Sequence, residues 1–138
     1  MTENRLPAET VFLSYARKNL ERIQPLLKGF EAHGWTMWVD RLELRSGDDW
    51  AARIPRMIEN AYCAVVVWSR DAVKSEWVRK EATLALAKVG KGLRLFPVQL
   101  DRDIDIPEEF RKWHAVDLSE WNGDASDALF KNSVMAPR

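Results

Sequence analysis

Apolar positions along the chain follow two alternating rhythms: short unbroken runs, and longer stretches in which they recur every three or four residues. Thr10–Tyr15 (TVFLSY) is the first run and predicts a strand. Ala16–Gly34 follows as a predicted helix, with Leu20, Ile23, Leu27 and Phe30 at helical spacing and Gly34 as its stop. Trp35–Val39 (WTMWV) predicts the second strand. Asp40–Trp50 (DRLELRSGDDW) reads as a charged loop that turns at Ser46-Gly47. Trp50–Ala61 is a predicted helix with Trp50, Ile54, Met57 and Ile58 on one side, and Pro55 sits early in it, where a missing amide costs least. Cys63–Trp68 (CAVVVW) is apolar throughout, the pattern of a strand covered on both faces in a parallel sheet. Asp71–Val89 predicts a further helix ended by Gly90–Gly92. Leu93–Leu100 (LRLFPVQL) predicts a fourth strand, in which Pro97 suggests an edge position or a bulge. Asp101–Trp113 is irregular and acidic, Ala115–Leu118 (AVDL) predicts a short fifth strand, and Ala125–Asn132 a last short helix.

Strands and helices alternate along the whole chain. That predicts an α/β fold, a flavodoxin-like three-layer sandwich around a five-stranded parallel sheet in the order 2-1-3-4-5. Residues 1–9 read as an N-terminal extension, 10–133 as the domain and 134–138 as a tail. Sheets of this kind bind ligands beyond the carboxyl ends of their strands. Here those ends are Ser14-Tyr15, Asp40-Arg41, Trp68-Ser69 and Leu100-Asp101.

Composition narrows the function classes. With 138 residues the chain suits one domain with a core of its own. Its 21 basic and 21 acidic residues cancel, which argues against nucleic acid and against an anionic membrane surface as direct partners. Cys63 is the single cysteine, so no internal disulfide can form, and no Cys or His stands near it at metal-ligand spacing. No metal site and a reducing, cytoplasmic setting are therefore expected. Met1–Thr10 is polar, and no apolar run reaches membrane-spanning length. Neither a GxGxxG nor a GxxxxGK[ST] motif is present. A phosphoacceptor domain on this fold needs paired acids after the first strand and an aspartate after the third, where this chain has Ser14-Tyr15 and Trp68-Ser69. His33 and His114 have no nucleophile beside them in sequence and read as structural or exposed.

Several segments, in order, resemble one family. V-F-L-S-Y at 11–15 resembles the opening box of TIR (Toll/interleukin-1 receptor) domains. Val39-Asp40-Arg41 through Gly47 to Trp50 resembles the bacterial-type BB loop and the start of the next helix. Ser69 after a buried strand, then S-E-W-V-R-K-E at 75–81, resembles the family's W-x-x-x-E segment, with Val78 where relatives often carry cysteine. Phe110 to Trp113 resembles the Phe-Trp box near the end. The resemblance spans roughly residues 10 to 120. It implies either of two modes. Many members only assemble with other TIR domains; many bacterial and plant members cleave NAD at the nicotinamide–ribose bond. By the motif match the catalytic glutamate is Glu81. NAD is then the substrate, and no cofactor is expected. The resemblance further implies head-to-tail contact with other TIR domains through the BB loop, as a homo-oligomer or filament on activation. A separate sensor domain or protein, and a role as effector in bacterial antiviral defence, rest on it as well.

The residues themselves support a chemical role for Glu81. Trp77 and Glu81 are four apart and share a helix face. Val78, Ala82, Ala85 and Val89 form that helix's apolar stripe, and Glu81 lies at its border, where partial desolvation tends to raise a carboxylate's pKa. Glu76 and Lys80 read as a solvent-facing pair. Tyr15 and Trp50 offer rings for the flat parts of NAD, and Trp77 could shape the same pocket. Ser14 offers a hydroxyl near the ribose or diphosphate, and Ser69 ends the third strand close to Glu81. Asp40 and Arg41 could hold polar parts of the ligand, with Arg41 suited to phosphate. Two other readings stay open: a non-enzymatic interaction module, and a deoxyribosyltransferase-like enzyme that also uses one glutamate. The product also stays open among linear ADP-ribose, cyclic ADP-ribose and a cyclic isomer.

Overall fold

The computed structural model describes residues 10–39, 58, 61–89, 91, 93–112 and 115–121. Strands β1 (Thr10–Ser14), β2 (Thr36–Val39), β3 (Cys63–Trp68), β4 (Arg94–Gln99) and β5 (Val116–Asp117) form one sheet in the order β2-β1-β3-β4-β5. Every pairing is parallel, and β1 lies between β2 and β3, with Leu13 level with Val39 and Val65. This is the predicted architecture.

Every residue of β1 and β3 is buried, as a central parallel strand requires. Alternation then sends neighbours to opposite layers. Val11, Leu13, Cys63, Val65 and Val67 pack with Ile23, Leu26, Leu27 and Phe30, which belong to helix α1 (Gln24–Ala32) and the turn before it. Phe12, Ala64, Val66 and Trp68 pack on the other side with Val78, Ala82 and Ala85 of helix α2 (Glu76–Lys88). Ile58, helical and fully buried, joins this second layer. The rest of the helix predicted over Trp50–Ala61 lies mostly outside the described residues, and the loop Asp40–Trp50, the helix Ala125–Asn132, the extension 1–9 and the tail 134–138 lie wholly outside them.

Both described helices are shorter than their apolar periodicity predicts. The segment read as one helix from Ala16 to Gly34 divides into a 3-10 turn at Arg17–Asn19 and α1 from Gln24. Pro25 explains the break: it donates no amide, and its ring collides with the carbonyl four residues back in a continuous helix, so it settles in the first turn of α1. The exit of α1 follows prediction. Gly34 has φ +91°, and the amides of Gly34 and Trp35 return to the carbonyls of Glu31 and Phe30, a Schellman closure. Because Trp35 serves that closure, β2 begins one residue later than predicted.

The segment read as helix from Asp71 to Val89 also divides. A 3-10 turn covers Ala72–Lys74, Ser75 is extended (φ −89°, ψ 118°), and α2 starts after it. The Ser75 hydroxyl accepts the Val78 amide at 3.1 Å and caps α2. Pro97 lies in a strand with neighbours on both sides, not at the edge. Pairing with β5 begins only at Val98, however, so the proline precedes the doubly paired part of β4. No helix among the described residues is long and apolar enough to cross a membrane.

Candidate active site

Two elements meet at the carboxyl end of β1. Ser14 is its last residue and, like Phe12, belongs to the face toward α2. Glu81 stands on α2 between Val78 and Ala82, and it is 1% exposed. The Ser14 hydroxyl donates to Glu81 Oε1 at 2.7 Å across 67 residues of sequence. Glu81 is thus inside the apolar stripe and not at its border, a correction to the sequence reading. Burial this deep depends on β1, which helix periodicity does not report. Glu76 and Lys80 are exposed as expected.

The other predicted residues fall into three groups. Trp77, one turn before Glu81, is half-buried against the α2-side core. Tyr15 is 1% exposed and packs in the α1-side layer with Leu13, Ile23 and Val67. Ser69 is fully buried and its hydroxyl is already engaged: it donates to Asn19 Oδ1 at 2.5 Å and accepts the Ala72 amide at 3.0 Å. Asp40, Arg41 and Trp50 lie outside the described residues.

Sequence reasoning passed over two polar networks at these strand ends. In the first, Asn19 is buried and bridges the loop after β1 to the loop after β3, accepting from Ser69 and donating through Nδ2 to Asp71 Oδ2 at 2.9 Å. The crevice between β1 and β3, where the strand order reverses, is therefore spanned by side-chain hydrogen bonds. A signal existed, since Asn19 falls on the same spacing as Ile23, Leu27 and Phe30, and a polar residue on an apolar stripe needs partners. In the second, Asp101 follows β4 and accepts from Arg22 at 2.8 and 3.2 Å and from the Arg70 amide at 2.9 Å. The Arg22 hydrogen bond is the main reason its carboxyl sits below the ordinary aspartate value, and Arg22 is raised by the same bond. No sequence signal marks this second network, because its members come from three separate loops.

Cys63 supplies no nucleophile. Burial pushes its thiol up to about 12, so it stays protonated at neutral pH. Among the described residues no cluster of three His, Cys, Asp or Glu side chains could hold a metal ion.

Comparison with known proteins agrees with this architecture. The TIR domain family profile matches residues 11–132. The 2′ cyclic ADP-D-ribose synthase AbTIR of Acinetobacter baumannii (strain 1295743) is 27% identical over 90 residues, covering 64% of this chain and 34% of the relative. The chain thus spans about a third of that curated relative's length. Among solved structures, the TIR domain of the Toll-related receptor TRR-2 from Hydra magnipapillata superposes with a TM-score of 0.73 at 22% identity, covering 91% of this chain and 94% of that one. The TIR domains of the activated Roq1 resistosome superpose with a TM-score of 0.64 at 21% identity, covering 88% and 95%.

Proposed function

The chain belongs to the TIR domain family, and from that premise we propose that it cleaves NAD at the nicotinamide–ribose bond with Glu81 as the catalytic carboxylate. The observation that carries this reading is the buried Glu81 carboxylate, held by Ser14 at the carboxyl end of the central strand. The bacterial relative that forms 2′ cyclic ADP-ribose supports the same chemistry.

In that reaction the C1′–N bond breaks and both electrons go to the nicotinamide nitrogen. A pyridinium cation becomes a neutral leaving group, so no proton donor is required. Positive charge passes to C1′ and the ring oxygen, and a carboxylate beside the ribose stabilises it. Water then adds at C1′ and gives up a proton, leaving ADP-ribose. An atom elsewhere in the same molecule adding instead closes a cyclic product. A low-dielectric surrounding strengthens the stabilisation. With Glu81 1% exposed, substrate reaches the acid only after the side chains over it move. We assign that opening to head-to-tail assembly, in which a neighbour's segment 40–50 meets the strand ends of the next domain. A cytoplasmic effector of antiviral defence, switched on by a separate sensor, fits such a device. Asp40, Arg41, Trp50 and Trp77 are the residues proposed to line the rest of the pocket, whereas Tyr15 and Ser69 take structural roles.

The test is nicotinamide release from NAD as protein concentration rises, with products separated by chromatography. Wild type is expected to gain specific activity on clustering. Glu81→Gln, which keeps an oxygen for Ser14, is expected to lose at least about a hundredfold with its melting temperature little changed. A fully active dilute monomer rules out the assembly step. One observation favours a second reading, a non-enzymatic interaction module: the enclosed Glu81 carboxylate joins β1 to α2, which is a structural task in its own right. Absence of nicotinamide release at every concentration and with crowding agents selects that alternative.

A further inference from the structure

We propose that Ser14 is a positioning residue that aims the Glu81 carboxylate, not a contact for substrate. This rests on the NAD-cleavage reading. A serine hydroxyl has one proton to donate, and here it goes to Glu81 Oε1 at 2.7 Å. Ser14 is 1% exposed, as Glu81 is, so the opening that admits substrate to the acid finds the serine proton already committed to the carboxylate.

The two residues ride on rigid supports. Ser14 sits level with Val66 of β3, in a strand with a neighbour on each side. Glu81 is anchored by Val78, Ala82 and Ala85, each at most 1% exposed. A glutamate side chain has three rotatable bonds before its carboxylate, and its anchoring on the helix acts at the near end of that chain. The hydrogen bond to Oε1 acts at the far end, and because the carboxylate is planar it bears on the direction of the whole group. A charge-assisted bond in a buried place is strong enough for this. Catalysis at C1′ depends on such aim, since a displacement of about 1 Å can cost roughly a hundredfold in rate.

The experiment compares Ser14→Ala and Ser14→Cys with wild type by steady-state kinetics on NAD under clustering conditions. It adds thermal melts of Ser14→Ala, Glu81→Ala and the double variant. The expected result is a ten- to hundredfold fall in kcat for Ser14→Ala with KM within about threefold. Ser14→Cys, nearly the same size and a weak donor, falls between the two. The double variant's loss of melting temperature is smaller than the sum of the single losses. A rise in KM at constant kcat makes Ser14 a substrate contact and overturns the proposal. A rise in activity makes the hydrogen bond a latch and also overturns it, and equal activity of alanine, cysteine and wild type does the same. Should wild type itself release no nicotinamide, the NAD reading fails and the positioning role with it. The melts then show separately whether Ser14 and Glu81 are coupled as core residues.

Discussion

Asn19 shows how a single side chain can hold a crevice in shape. It is 2% exposed, and its amide is matched on both sides, with oxygen to Ser69 and nitrogen to Asp71. Truncating it leaves the Ser69 proton and an Asp71 oxygen without that partner in a largely buried place. Asn19→Ala is therefore expected to cost about 1–3 kcal/mol, measured by urea unfolding. Asn19→Asp is expected to cost more, because two carboxylates then face each other; a neutral result for both removes the network from any role in stability. The same residue marks what could and could not be read from sequence. Glu81 was legible as a candidate through the W-x-x-x-E resemblance, and its place beside Trp77 and Val78 on one helix through local spacing. Its depth, and its bond to a serine 67 positions away, were not, since both depend on β1 lying under α2. Ser14 and Ser69 were both legible as strand-end hydroxyls, yet only the folded chain tells which faces the acid and which caps a turn.

At the scale of elements, strands were more legible than helix ends. CAVVVW announces β3 to the residue because burial on both faces leaves no polar interruption. Helix boundaries slipped because apolar spacing at 16–34 and 71–89 runs through local breakers that outweigh it, Pro25 in one case and Ser75 in the other. Ser75 matters beyond bookkeeping of residues, since it begins the helix that carries Glu81 six positions later. Its hydroxyl accepts the Val78 amide, one of the donors a helix start leaves unmatched. Ser75→Ala is expected to lower stability by about 1 kcal/mol, whereas Ser75→Asp holds it, because a carboxylate caps equally well and suits the helix N-terminus. Thermal melts decide between them, and equal losses in both variants argue that the cap contributes nothing. Nicotinamide release should follow the same order if fraying of the first turn loosens Glu81.

For the molecule as a whole, the carboxyl edge of the sheet is tied together by charge as well as by packing. Asp101 after β4 joins Arg22, which precedes α1, to the amide and guanidinium of Arg70 after β3. Three loops that are distant in sequence therefore meet on one carboxylate. Its pKa is lowered chiefly by the Arg22 hydrogen bond, so the folded state holds the proton less readily than the unfolded chain does. The sign follows: the contribution to stability is complete above the unfolded aspartate value, about 3.9, and is lost as pH falls from there through the lower folded value. Asp117, lowered by its hydrogen bonds with Ser119, titrates in the same sense. Arg22 and Arg70 are 46% and 66% exposed, so water and salt screen the pair and the effect is modest. Unfolding curves for wild type and Asp101→Asn should accordingly differ near neutral pH and draw together progressively as pH falls below about 4, with the gap shrinking as salt is added. A gap that persists undiminished into acid shows that the carboxylate's charge is not what joins these loops, and that the remaining hydrogen bonds hold the edge by themselves.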